Sequence, residues 1–218
     1  MRTGDHPLNA DGVWCEILTA AKPGRPALFL DRDGVVVEEA EYLRRVEDIV
    51  MIPEAAQTIA AANKHGVAII LVTNQAGIGR GYYGWADFQA VQTAIISDLA
   101  AEGARIDAVY ACPYHPKGQG LFAHPDHPAR KPNPGMLLQA AADLALDLGK
   151  SWLVGDKAID VEAAKRAGTA GALLVETGYG RSERVLASGL ATVTFEVRFG
   201  ASVADAMMLP ILMPQQDR

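Results

Sequence analysis

Short apolar runs alternate with helix-patterned stretches along this chain, and that alternation narrows its possible folds more than any other feature. The runs lie at residues 27–30, 67–72, 106–111, 151–154 and 172–175. Runs this short, bounded by turn residues and lacking polar alternation, read as strands buried on both faces. Between them, Pro53 to His65 opens with proline and stops at Gly66. Trp85, Phe88, Val91, Ile95 and Leu99 recur at helical spacing before Gly103. A third helix is expected from Pro134 to Leu148, and a shorter one from near Asp160 to just before Gly168. The pattern predicts an α/β, Rossmann-like fold of three layers, a central parallel sheet with helices on both faces. Its core is expected at residues 27–180, between an N-terminal extension at 1–26 and a C-terminal segment at 181–218 that packs on it.

At 218 residues, half of them hydrophobic, the chain is long enough to bury one real core. Its formal net charge of −6, with the signs interspersed, argues against a nucleic-acid or membrane-surface binder, which needs a basic face. A small anionic ligand would need only local basic residues. Cys15 and Cys112 make no disulfide framework. No basic-then-apolar leader opens the chain, and no apolar run approaches the roughly 18 residues of a membrane span. A cytoplasmic protein, monomeric or weakly oligomeric, acting on a small molecule is expected.

The residues that end the strands carry the chemistry. Asp31-Arg32-Asp33-Gly34 follows Ala27-Leu28-Phe29-Leu30 directly, so two carboxylates arrive at one strand end. Carboxylates so placed repel each other and cost desolvation, and they persist where a cation neutralises them. A calcium loop would need oxygen ligands at its fifth and twelfth positions and glycine at its sixth; Val35, Tyr42 and Val36 stand there instead. A solvated acidic turn is the bland alternative. Thr73-Asn74-Gln75 ends the second run and Gly155-Asp156-Lys157 the fourth, while Arg130 and Lys131 precede the helix at Pro134. In an open parallel sheet these strand ends line one crevice. Three carboxylates, a hydroxyl, an amide and one or two cations gathered there suit Mg²⁺ and a phosphoryl group.

Phe29 to Gly34, Val72-Thr73-Asn74-Gln75, Arg130-Lys131-Pro132 and Gly155-Asp156-Lys157 with Asp160 together resemble the four signature motifs of the haloacid dehalogenase (HAD) superfamily of phosphohydrolases, across about residues 27–180. The longer strings from Val72 to Gly81 and from Arg130 to Met136 look like the branch that contains D-glycero-D-manno-heptose 1,7-bisphosphate phosphatases and histidinol phosphatase domains. The resemblance implies that Asp31 attacks phosphorus and forms an aspartyl-phosphate, while Asp33 exchanges protons with the leaving oxygen and then with water. It implies Mg²⁺ on Asp31, Asp156 and the main-chain carbonyl of Asp33. Thr73 and Asn74 would hold phosphoryl oxygens, Lys131 would offset charge, and Asp160 would orient the loop bearing Asp156 and Lys157. The expected activity is Mg²⁺-dependent hydrolysis of a small sugar phosphate. A histidinol-phosphate or other phospho-metabolite phosphatase, and a catalytically silent sugar-phosphate-binding protein, are the alternatives.

The spacing of these motifs leaves no room for a large cap domain, so specificity is expected from residues 35–50, 76–84 and 112–130, with Gln75, Arg80 and Arg130 touching substrate. Gly79 to Gly84 matches a dinucleotide glycine pattern but starts several residues beyond its strand, where that fingerprint requires a tight turn. The branch often carries a structural zinc between the third strand and Arg130. Here Tyr114 and Ala129 occupy two of the four ligand positions, so a Zn²⁺ site would need a shifted set drawn from Cys112, His115, His124 and His127.

Overall fold

The structure, a computed structural model, describes residues 6–213. The expectations for residues 1–5 and 214–218 lie outside the described residues. In chain order the elements are β1 (Trp14–Ile17), β2 (Ala27–Leu30), α1 (Ala55–Lys64), β3 (Ala68–Asn74), the single turn α2 (Ala76–Gly79), α3 (Trp85–Ala101), β4 (Ala108–Cys112), α4 (Gly135–Leu144), β5 (Trp152–Gly155), α5 (Ala158–Ala167), β6 (Gly171–Val175), α6 (Gly180–Ser188) and β7 (Glu196–Gly200). They form one seven-stranded sheet in the order β1-β4-β3-β2-β5-β6-β7, parallel except for β1 against β4.

Alternation along each strand divides the core in two. Leu28, Leu30, Ile69, Leu71 and Val109 point to the face covered by α1 and α3; Ala27, Phe29, Ile70, Val72 and Tyr110 point to the face covered by α4 and α5. All four β2 residues are fully buried, as a central strand of a parallel sheet requires. The helices end where their local chemistry says: the Asp87 carboxylate accepts from the Gly84 N–H to start α3, and Gly168 adopts φ +78° to close α5.

Two strands of the sheet lie outside the span expected for the core, residues 27–180. The sheet does not stop at residue 180, because β7 pairs in parallel with β6 and Val203, Ala206, Leu209 and Leu212 bury behind it. Nor does it begin at residue 27, because β1 adds an antiparallel edge. β7 alternates polar and apolar residues and β1 is four residues long with Glu16 in it, so neither reads as a buried run; their pairing with β6 and β4 makes them part of the sheet.

The chain runs outward from β2 through β3 to β4, then returns to the other side of β2 for β5, β6 and β7. The order therefore reverses between β2 and β5, and the crevice at the carboxyl ends of these strands is where such sheets bind ligands. After β2 a flap folds back over that end. Ile52 donates to Val36, Glu38 donates to Val50, and the Val35-Val36-Val37 base is fully buried, which presents residues 39–43 at the crevice rim.

Candidate active site

Three neighbouring strands deliver the polar groups. Asp31 follows β2, Thr73 and Asn74 end β3, and Asp156 follows β5. Asp31, Thr73 and Asn74 line a crevice of about 330 Å³ with Asp33, Arg130, Lys131 and Lys157, and Asp156 is buried beneath it. Asp31 accepts from its neighbour's N–H at 2.8 Å and from Lys131 Nζ at 3.0 Å, both at Oδ1. Among the described residues Oδ2 takes no hydrogen bond, which leaves an unencumbered oxygen on a nearly buried carboxylate.

Lys131 is 1% exposed, and its Nζ meets Asp31 Oδ1, Asp160 Oδ1 at 2.6 Å and the Val72 carbonyl at 2.8 Å. Burial alone would push its ammonium down, but Asp160 and Asp31 outweigh burial and hold it above its ordinary value. The loop that carries it is tied to β3 reciprocally: Asn74 Nδ2 donates to the Lys131 carbonyl and Lys131 N donates to Asn74 Oδ1. Asp160 does two jobs, capping α5 by accepting from the Lys157 N–H while pairing with Lys131.

Asp156 is the strained member. Its Oδ2 accepts from the Tyr179 N–H at 3.0 Å and packs so closely on Gly34, at φ +81°, that a Cβ there would lie 2.7 Å away. Its buried Oδ1 has no hydrogen-bond partner, and the Lys157 ammonium stands 3.9 Å off. Burial, then the negative charges of Asp31 and Asp160, push the Asp156 carboxyl well above the usual carboxylate range. A buried oxygen without a partner beside two further carboxylates is a donor set for a small hard cation. Asp31, Asp156 and Asp160 bring one oxygen each within 4.8 Å of one another; since Asp160 is already committed to Lys131 and the Lys157 N–H, Asp31 and Asp156 are the pair with coordination to give.

Asp33 sits beside them, held bidentately by Arg32 at 2.9–3.2 Å and by Gln75 Nε2 at 3.1 Å. Gln75 lines the crevice but is 3% exposed, its amide engaged by Asp33, Thr73 Oγ1 and the Tyr83 hydroxyl. Arg80 does not line the crevice. Its guanidinium donates to Tyr42 Oη at 2.6 Å and lies over the Tyr42 and Tyr82 rings, joining the flap to the loop before α3. Arg130 does line it, steadied by the Tyr114 carbonyl at 2.9 Å. Sequence reasoning missed Arg32, Tyr83 and the flap's Glu39, which pairs with Lys157 at 2.8 Å; an arginine between two strand-end aspartates was the available signal.

The shifted zinc set does not assemble. Among the described residues only the three aspartates gather as metal-type ligands. His115, His124 and His127 each turn Nδ1 back to a main-chain N–H two residues on, at 2.9–3.1 Å. Tyr114 stacks flat on His127 at 3.6 Å, and Cys112 is buried in the sheet at the end of β4.

Comparison with known proteins agrees with this geometry. A family model described as HAD-hydrolase-like matches residues 128–196. The D-glycero-beta-D-manno-heptose-1,7-bisphosphate 7-phosphatase of Mesorhizobium japonicum is 49% identical over 173 residues, 78% of this chain and 80% of that one. The corresponding alpha enzyme of Burkholderia mallei is 47% identical over 150 residues, covering 68% and 79%. A crystal structure of D,D-heptose 1,7-bisphosphate phosphatase from B. bronchiseptica, complexed with magnesium and phosphate, superposes with a TM-score of 0.71 at 32% identity, covering 84% of this chain and 98% of that one. With relatives this similar over this much of its length, the chain belongs to the HAD phosphatases, in the group that holds the heptose 1,7-bisphosphate 7-phosphatases.

Proposed function

We propose that this protein removes the 7-phosphate of D-glycero-D-manno-heptose 1,7-bisphosphate through an aspartyl-phosphate on Asp31. The observation that carries this reading is the contrast within the site: Asp31 keeps one oxygen free at the crevice while the Arg32 N–H and Lys131, itself held by Asp160, fix the other. That oxygen attacks phosphorus in line, and the bond to the sugar oxygen breaks with its electron pair staying on that oxygen. Asp33 gives the leaving oxygen its proton, then takes one from the water that hydrolyses the acyl phosphate. Thr73 and the Asn74 N–H hold phosphoryl oxygens, and Lys131 offsets the charge of nucleophile and phosphate. Asp31, Asp156 and the Asp33 carbonyl would hold Mg²⁺, which when bound polarises the phosphoryl oxygens and screens the approach of two anions.

Arg130 at the crevice wall is the group for the distal phosphate, since a guanidinium reads a phosphate bidentately. Every group invoked comes from one chain, which fits action as a monomer or weak oligomer, and two free cysteines fit a cytoplasmic setting. Among the described residues no helix is long and apolar enough to cross a membrane. The test is phosphate release with Mg²⁺, comparing kcat/KM for both anomers of the heptose bisphosphate, fructose 1,6-bisphosphate, histidinol phosphate and hexose monophosphates. The heptose bisphosphate is expected to win. A preference of about tenfold or more for histidinol phosphate or a hexose monophosphate overturns the substrate and leaves the phosphatase class standing.

A further inference from the structure

Tyr83 is buried beside the crevice, and its hydroxyl donates to Oε1 of Gln75. The Asp33 carboxylate only accepts, so the amide turns its NH₂ to Asp33 and its oxygen to the Tyr83 hydroxyl, which donates. Gln75 Nε2 therefore faces Thr73 Oγ1 at 2.8 Å and Asp33 Oδ2 at 3.1 Å. From the opposite side Arg32, 1% exposed, lays Nε and Nη2 against both Asp33 oxygens and rests on the Phe88 ring at 5.5 Å. Its Nη1 is buried without a partner, so this guanidinium is committed to Asp33. Gly77 makes the arrangement possible, since a Cβ there would stand 2.2 Å from Tyr83 Cε1.

We propose that Tyr83 is a positioning residue for the reaction: acting through Gln75, and with Arg32 as the opposing support, it aims the Asp33 carboxyl at the leaving oxygen. The inference rests on Asp33 being the acid–base group. Without the hydroxyl, Oε1 loses its donor and the Gln75 amide loses the anchor that holds its NH₂ in place against Asp33. Proton transfer requires the donor within hydrogen-bond reach of its target, so a mis-aimed Asp33 slows the steps that need its proton and spares those that do not. Cleavage of an alkyl phosphate needs that proton, because the sugar alkoxide is a poor leaving group. Cleavage of p-nitrophenyl phosphate does not, because nitrophenolate leaves as the anion.

The experiment compares kcat/KM, which reports events up to the first irreversible step, for D-glycero-D-manno-heptose 1,7-bisphosphate and for p-nitrophenyl phosphate. It uses the parent, Tyr83→Phe, Gln75→Met and Asp33→Asn, with thermal melting to show that each is folded. In Tyr83→Phe and Gln75→Met the alkyl ester should lose about tenfold and the aryl ester less than about threefold, with a wider split in Asp33→Asn. Should Tyr83→Phe not fold, Gln75→Met, which keeps the length and volume of the side chain, decides alone. Equal losses on both esters, or no loss on either, in the two outer variants while Asp33→Asn splits them overturn the positioning role alone. If Asp33→Asn itself shows no split, the acid–base reading fails first and this inference with it.

Discussion

Two buried carboxylate centres occupy opposite ends of the sheet, and they are built on opposite principles. Asp107, just before β4, is wholly buried and wholly answered: Oδ1 accepts from Thr19 and from Arg25 at 2.9 Å, Oδ2 accepts from the Ile69 N–H at 2.9 Å, and its carbonyl takes the Leu18 N–H. It stitches the segment after β1 to the start of β3. At the other end Asp156 Oδ1 is buried with no hydrogen-bond partner, its nearest cation 3.9 Å away, and Asp31 Oδ2 takes no hydrogen bond from the described residues, with Asp160 close enough to raise the cost. Burial cannot explain the difference, since both centres are buried. A carboxylate kept for stability has its hydrogen bonds completed by the chain, whereas one kept for chemistry leaves positions for a ligand and accepts the strain.

The largest break in this comparison comes from the nucleophile. Asp31→Asn should lower kcat on the order of 10⁴-fold or more and leave Tm unchanged or raised, because it removes a charge from a crowded site. Turnover near the parent's would end the aspartyl-phosphate mechanism. Asp107→Asn should do the reverse, costing about 2–4 kcal/mol because its NH₂ must face Arg25 or the Ile69 N–H, while kcat changes less than about twofold. In a chain of this length each kcal/mol is read as about 2–4 °C of Tm.

Metal sharpens the contrast next. EDTA should abolish turnover and Mg²⁺ restore it. Mg²⁺ at a hundred times its Kd should add about 2.7 kcal/mol of stability to the parent and to Asp107→Asn, but little to Asp156→Asn. Equal Mg²⁺ stabilisation of Asp156→Asn would move the cation elsewhere.

The smallest effect is a pH dependence. Burial pushes the Asp107 carboxyl up, but hydrogen bonds from Thr19, the Ile69 N–H and Arg25 pull it further down, to a net value below the ordinary one. A folded pKa that is depressed stabilises fully above the unfolded value, about 3.9, and that stability fades as pH falls through the folded value. The stability gap between parent and Asp107→Asn should therefore narrow in denaturant titrations as pH is lowered from about 5 toward 2. A constant gap would mean that charge at Asp107 contributes nothing.

Much of the crevice's chemistry is legible in the sequence. Asp31, Asp33, Thr73 and Asp156 are polar residues at or just beyond the ends of apolar runs, which parallel strands must bring together, while Lys131 stands before one helix and Asp160 in the first turn of another. Gln75 and Arg80 stood in the same strings, but their side chains are engaged by neighbours that no local pattern announces. The Gln75 amide is oriented by a hydroxyl eight residues further on, and Arg80 is drawn off by Tyr42 of the flap. The histidines between β4 and α4 are near neighbours in sequence, but local turns take their Nδ1 atoms before a metal could.

By itself, then, the sequence determined which segments are buried strands and which helices pack on them, because hydrophobic period and turn chemistry act within a few residues. It also determined which chemical groups stand at the strand ends. Only the tertiary structure decided that the strand order reverses between β2 and β5, that β1 and β7 complete the sheet, and that Lys131 lies between Asp31 and Asp160. It alone set the direction of each amide, guanidinium and imidazole. Such directions depend on donors and acceptors from distant parts of the chain, and no local pattern encodes where those partners will be once the chain is folded.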